Sequence, residues 1–359
     1  MSAPSLDPTA RELVEALAHF LAKEAPLARS LQASETADGF DRESFQGLAE
    51  LGFFGVTSDA AVGGLELAPA VRGAFCVEAG RVLLGGPWLE QLLAAGLLAS
   101  VAGSELLEAV VGGSTLVSVP LLAESWARPA TVELAAGQAR FAGGACELGF
   151  ATAVDGWLVP ARGERGGEVV LVHLAADADR ASERRRWSDV WQSHEVDLGG
   201  AEGAVVARLD AAAVATHGLD VARLLACVSV GATEALLDLT VDFLGGREQF
   251  GRPLGSFQAL QHRMADVYID LEHTRSLVRA AAASVGADDE VRAVMAKVAA
   301  DRLGVTAAQS ALQAHGGLGF TWELPVHHYL KEALRRRSLP RPTARYQQDL
   351  RASLIEYRI

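Results

Sequence analysis

The sequence predicts a mainly α fold with a β middle domain: an N-terminal helical domain over 1–112, a small β-barrel over 113–212 and a C-terminal four-helix bundle over 213–359. Three observations carry this expectation. Apolar residues recur at helical spacing from about Thr9 to Ala102. Around Gly112 that pattern gives way to short runs of Val, Leu and Ala punctuated by Gly. After His217 the helical pattern returns and holds to the end.

In the first region Leu13, Leu17, Phe20 and Leu21 mark one helix face, and Phe45, Leu48, Leu51 and Phe53 mark another after an acidic loop. The stretch VEAGRVLLGGPWLEQLLAAGLLAS reads as two further helices broken at Gly85-Gly86-Pro87. Packing is the expected role of this region. In the middle, STLVSVPLL, ATVELAAG, GWLVPA, EVVLVHL and GAVVARL have the length and composition of strands. The triplet Arg184, Arg185 and Arg186 between them is expected to form a solvated face rather than a phosphate clamp.

Gly218-Leu219-Asp220 is expected to open the first bundle helix, which runs to about Phe243. The second follows Ser256, a residue suited to an N-cap, with apolar residues at Phe257, Leu260, Met264, Val267, Leu271 and Val278. A third starts at Asp288-Asp289, whose carboxylates suit the positive end of a helix, and stops at Gly316-Gly317. Pro325 fits the start of a short helix over Val326 to Arg337, and Thr343 the cap of a last one.

Composition narrows the function. The chain has 359 residues, 50% hydrophobic and 21% charged, as expected of a globular protein with two or three domains. A net charge of −13 argues against a nucleic-acid partner. Cys76, Cys146 and Cys227 are far apart, with neither metal-ligand nor redox-pair spacing, so no metal is expected and reduced thiols are. The start MSAPSLDPTARELVEAL lacks the pattern of a signal peptide, and the apolar run Leu92 to Val101 is too short to span a bilayer. A cytoplasmic protein with no membrane partner is the expectation.

The most informative stretch is Gly245 to Ala281, GGREQFGRPLGSFQALQHRMADVYIDLEHTRSLVRAA. A Gly-rich turn carrying Arg247, Gln249 and Phe250 precedes a rigid helix, where a guanidinium and an amide can grip a phosphate or an adenine. Its pattern RxxFGxxxxxxQ resembles the flavin-adenine segment of acyl-CoA dehydrogenases, and QAHGGLGFTWE (Gln313 to Glu323) resembles that family's QxxGGxG turn. LAELGFFGVTSDAAVGGLEL resembles the family's entry loop, with Ser58-Asp59 in place of Pro-Glu, and GGLGFTWELPVHHYLKEA looks like the actinobacterial branch acting on steroid-type CoA thioesters.

The resemblance implies FAD as cofactor, held at its adenosine diphosphate end by Arg247, Gln249, Phe250, Gln258, Gln313, Gly316 and Gly317, with the turns contributed by neighbouring subunits. It implies α,β-dehydrogenation of an acyl-CoA, one carboxylate taking the α proton, and an electron-transfer flavoprotein as partner. Both positions the family uses for that carboxylate lack it: Ala222 stands in GLDVARLL, and Arg335 to Thr343 reads RRRSLPRPT. The ring-contacting motifs of the barrel are absent from LLAESWARPA and ELGFATAVD, and Thr152 is the only hydroxyl in the second of these stretches. Three readings follow: a base-lacking subunit paired with a homologous, competent acyl-CoA dehydrogenase subunit; a self-sufficient enzyme with a base relocated to Asp220; or a binding or scaffold protein without flavin.

Overall fold

Asp7 starts the first helix, α1 (Pro8–Glu24), by accepting a hydrogen bond from the Ala10 N–H, with Pro8 at the first helical position. The structure is a computed structural model and describes residues 6–99, 105–163, 168–284 and 289–356. The expected boundary residues Val101, Ala102 and Asp288 lie outside these. Helices α2 (Leu27–Ala33), α3 (Arg42–Glu50), α4 (Pro69–Arg81), α5 (Trp88–Ala99) and α6 (Glu105–Val111) complete the first region. Its centre is aromatic: Phe45 stacks on Phe54 at 4.7 Å and Phe53 on Phe75 at 5.5 Å. Phe53 and Phe75 are fully buried.

Strand β1 (Val117–Ser118), helix α7 (Ala123–Ala127) and strands β2 (Ala130–Ala135), β3 (Gln138–Phe141), β4 (Ala145–Gly149), β5 (Gly156–Arg162), β6 (Val169–Ala175), β7 (Arg185–Arg186), β8 (Gln192–Asp197) and β9 (Glu202–Leu209) form the middle region. One sheet runs in the order β1-β5-β2-β3-β9-β6, and a further β5–β6 pairing closes it into a barrel. Closure leaves the Val- and Leu-rich β5 and β6 without a free edge. A smaller sheet, β4-β8-β7, stands beside it. The five apolar runs correspond to β1, β2, β5, β6 and β9, whereas β3, β4 and β8 have no counterpart in the sequence reading.

The bundle begins earlier than expected. Asp210 caps α8 (Ala211–Gly246) through the Ala213 N–H, so Gly218-Leu219-Asp220 lies inside the helix. A hairpin of β10 (Glu248–Gln249) and β11 (Arg252–Pro253) leads to α9 (Gln258–Ala282), followed by α10 (Asp289–His315), α11 (Val326–Ser338) and α12 (Thr343–Glu356). Ser256 does not cap α9, because its hydroxyl turns back to the Pro253 carbonyl at 2.7 Å and Phe257 takes the cap position. Thr343 is the first residue of α12, and its hydroxyl donates to Asp301 on α10. Met264, Val267, Leu271 and Val278 are the buried face of α9, as their spacing predicts.

Two contacts fix how the regions meet. A Cβ at Gly231 would stand 1.8 Å from the Val77 carbonyl oxygen, and one at Gly80 would stand 2.2 Å from that of Val228. These glycines let the backbones of α4 and α8 touch. The Arg184–Arg186 triplet is exposed, as expected, but tied down: Arg184 donates to Thr36 O at 3.1 Å, and Arg186 donates to Glu35 at 2.6 Å and Ser34 O at 2.7 Å. The β7 hairpin is thereby clasped to the segment after α2. Helix α8 is long and apolar enough to cross a bilayer, but 67% of its most apolar window is buried as the central helix of the bundle.

Candidate functional site

Between β10 and β11, Phe250 (φ 55°) and Gly251 (φ 78°) make the two-residue turn with both φ angles positive that closes a tight hairpin. This geometry turns Phe250 outward, 90% exposed, while the Arg252 guanidinium lies over the Phe257 ring at 4.0 Å. Arg247, Gln249 and Gln258 are exposed on the same hairpin and the helix start after it. Arg247 ends α8, its N–H donating to Phe243 O at 2.9 Å, and its guanidinium stays on the surface.

At the end of α10, Gln313 is exposed, and Gly316 (φ 59°) and Gly317 form the turn. A Cβ on either glycine would meet nothing within 4 Å, so another molecule can come close to this backbone. The His315 ring stacks on Phe243 at 4.3 Å, and Leu244, Met264 and Ala314 pack together beneath. The structure therefore brings both sequence-predicted turns to one end of the bundle, with their polar groups facing outward.

The other end of the expected site is different. Ala222 is fully buried against Val294 and Tyr346. Asp220 is not at a helix start, as the sequence suggested: one oxygen takes the Arg72 guanidinium at 2.9 Å and the other takes Arg223. Arg223 also grips both oxygens of Asp289, at 2.6 and 2.7 Å. Within Arg335 to Thr343, the Pro340 carbonyl accepts from the Ala123 N–H at 2.8 Å, which seats the chain against α7.

Sequence reasoning missed a buried charge cluster where β4 and β8 meet the bundle. Glu332 accepts two hydrogen bonds from Arg335, at 3.0 and 2.9 Å, one from Arg336 at 2.9 Å, and one from Ser188. Burial would raise the Glu332 carboxyl, but Arg335 and Arg336 outweigh it and bring it to about 2. The Arg335 guanidinium lies over the Trp191 ring at 4.7 Å, and the Trp191 indole N–H donates to Glu90 at 2.9 Å. Glu90 is fully buried, its Oε2 has no partner among the described residues, and burial pushes its carboxyl up to about 7. The cavity among these groups is about 20 Å³, room for a single water. Phe150, at the end of β4, packs edge-on against Trp191 and Phe40. Thr152 is exposed, with His194 at 3.4 Å.

Asp189, His327 and His328 also converge, their ligand atoms within 4.8 Å of one another. Lys331 donates to both Asp189 oxygens, at 2.9 and 2.8 Å, so an ammonium already neutralises this carboxylate.

Residues 7–110 match the family model for the acyl-CoA dehydrogenase N-terminal domain, and residues 212–339 match the model for the acyl-CoA dehydrogenase C-terminal domain. The chain belongs to the acyl-CoA dehydrogenase family. It is 30% identical over 317 residues to acyl-CoA dehydrogenase FadE27 of Mycobacterium tuberculosis, covering 82% of this chain and 83% of that one. Among solved structures, a Tcur3481-Tcur3483 steroid ACAD variant is 28% identical with a TM-score of 0.85, covering 97% of this chain and 98% of the other. The ChsE4-ChsE5 complex from Mycobacterium tuberculosis shares the fold with a TM-score of 0.87 at 24% identity, covering 98% of each chain.

Proposed function

We propose that this chain is the base-lacking subunit of a heteromeric, FAD-dependent acyl-CoA dehydrogenase acting on a CoA thioester of the steroid side-chain type. The domain division 1–112, 113–212 and 213–359 goes with this reading, its second boundary falling two residues inside α8. The observation that carries the reading is the filled contact between barrel and bundle. Glu90, Trp191, Glu332 and Arg335 leave about 20 Å³ there, and no carboxylate stands at Ala222 or within Arg335 to Thr343. The space among these side chains is far too small for an isoalloxazine ring.

The adenosine diphosphate end of FAD does fit this chain. Arg247 offers a guanidinium to a phosphate, Gln249 and Gln258 offer amides, and Phe250 offers a ring face. The open backbone at Gly316 and Gly317, with Gln313 a turn before, admits a pyrophosphate. When bound, FAD supplies the hydride acceptor of the family's reaction. This chain's part is to hold the adenine end, while a homologous partner supplies the ring site and the carboxylate. The reading places the complex in the cytoplasm, with an electron-transfer flavoprotein as its electron acceptor.

A self-sufficient enzyme is the second reading, and Glu90 serves it better than Asp220. Asp220 would have to leave two guanidinium groups, whereas Glu90 has a free oxygen and a carboxyl tuned near neutrality. The test is to express the chain alone and with its homologous partner, then measure bound flavin and CoA-thioester dehydrogenation. Retained FAD and turnover are expected in the complex alone, abolished by removing the partner's acid and kept within a few-fold in Asp220→Asn and Glu90→Gln. Turnover by the isolated chain, lost in Glu90→Gln, would establish the second reading instead.

A further inference from the structure

A cavity of about 580 Å³ lies between the start of α1, one side of α4 from Ala70 to Glu78, the middle of α8 and the end of α9. It shares no residue with the turns or the charge cluster described above. Its size is that of a small-molecule site. Gly73, Ala74 and Val77 of α4, Cys227 and Val230 of α8 and Val278 of α9 make its floor. Gly73 sets the depth, because a Cβ there would come 2.8 Å from that of Ala282 and 3.3 Å from the Cys227 sulfur.

The mouth is charged, and its charges are unevenly satisfied. Glu234 accepts from Arg275 at 2.8 and 2.9 Å and from Arg81 at 2.7 Å, so this acid is neutralised from both sides. Glu78 is half-buried, with the Arg81 Nε at 3.8 Å; burial raises its carboxyl pKa. Arg11 donates to the Leu6 carbonyl at 3.2 Å, and among the described residues neither Arg11 nor Arg279 is paired with a carboxylate. An apolar floor below two uncompensated guanidinium groups excludes a cationic ligand and gives a neutral lipid no contact for its head.

We infer that this cavity binds an amphipathic anion, with an aliphatic or alicyclic body on the floor and a carboxylate or phosphate head at Arg11 and Arg279. The experiment uses the full-length chain in complex with its partner and 11-(dansylamino)undecanoic acid as fluorescent probe. Dodecanoate, dodecyl phosphate and dodecanol serve as competitors. Saturable binding is expected, with at least one of the two anions displacing the probe at a tenfold or lower concentration than dodecanol. The better displacer identifies the head group. The double variant Arg11→Gln/Arg279→Gln should weaken binding tenfold or more at an unchanged melting temperature. Ala74→Trp fills the half-buried α4 side of the floor and should abolish binding; Val77→Phe replaces it if that variant does not fold. The proposal is overturned by no saturable binding, by dodecanol matching both anions, or by binding that survives the filled floor.

Discussion

A buried carboxyl with one oxygen lacking a partner costs stability whenever it ionises, and Glu90 is such a group. Its folded pKa of about 7 lies above the ordinary 4.5, so the folded state holds a proton that the unfolded state releases. The cost is absent below about pH 4.5, grows through the window up to 7, and is complete above it. Glu90→Gln keeps an acceptor for Trp191 and removes the charge, so it should stabilise the protein at pH 8 by up to roughly 3 kcal/mol. That gain should vanish near pH 4.5, as thermal melts at the two pH values will show. Glu332 works in the opposite sense. Its carboxyl is held down to about 2, so its contribution is full above the ordinary 4.5 and is lost as pH falls from there toward 2. Neither acid was legible in the sequence. Glu90 sits in WLEQLLAAGLLA as an unremarked polar position, and the indole that meets it is 101 residues away. Arg335 and Arg336 entered the sequence reading only as part of the segment without a carboxylate, although Arg336 is 2% exposed.

Elements were legible where burial imposes a pattern on the sequence. Strands β5 and β6, buried along almost their whole length, appear as GWLVPA and EVVLVHL. Strand β8, QSHEVD, is buried at Gln192, Ser193 and His194, polar residues that hydropathy counts as loop. The start of α8 was hidden too, since Ala211 to His217 shows no apolar stripe before the helix enters the core. Gly231 looks like a weak point in that helix, and on propensity alone Gly231→Ala should gain about 1 kcal/mol. The added Cβ would, however, meet the Val77 backbone oxygen at 1.8 Å, and a backbone cannot swing aside as a side chain can. The clash, costing about 1–3 kcal/mol or more, should win and lower the melting temperature by several degrees. A Gly231→Ala protein that melts at or above the wild-type temperature would show that α4 and α8 are not held this close.

At the scale of the whole molecule, apolar surface gathers around the end of the bundle that carries the two turns. Phe250 is 90% exposed, Trp322 76% and Phe320 70%, with Tyr268 at 54% and Ile269 at 50% along α9. A single chain gains nothing by showing so many large rings to water, whereas a second chain covering them would bury that area. The sequence revealed the motifs at these turns but not their setting, because exposed residues such as Arg247, Gln249 and Gln313 leave no core pattern in the chain. Sedimentation of the complex should accordingly give a two-by-two tetramer at micromolar concentration. The flavin count follows from the same division of labour. If this chain offers adenine contacts but no room for the ring, each pair of unlike chains binds one flavin. Flavin absorbance against total peptide is the measurement, and two flavins per pair would mean that the Trp191–Arg335 contact opens to admit a ring. Within that complex, Arg247→Ala removes a phosphate partner with little packing and should release FAD on gel filtration while the melting temperature of the FAD-stripped complex stays put. Full FAD retention by Arg247→Ala would move the adenine site away from the hairpin.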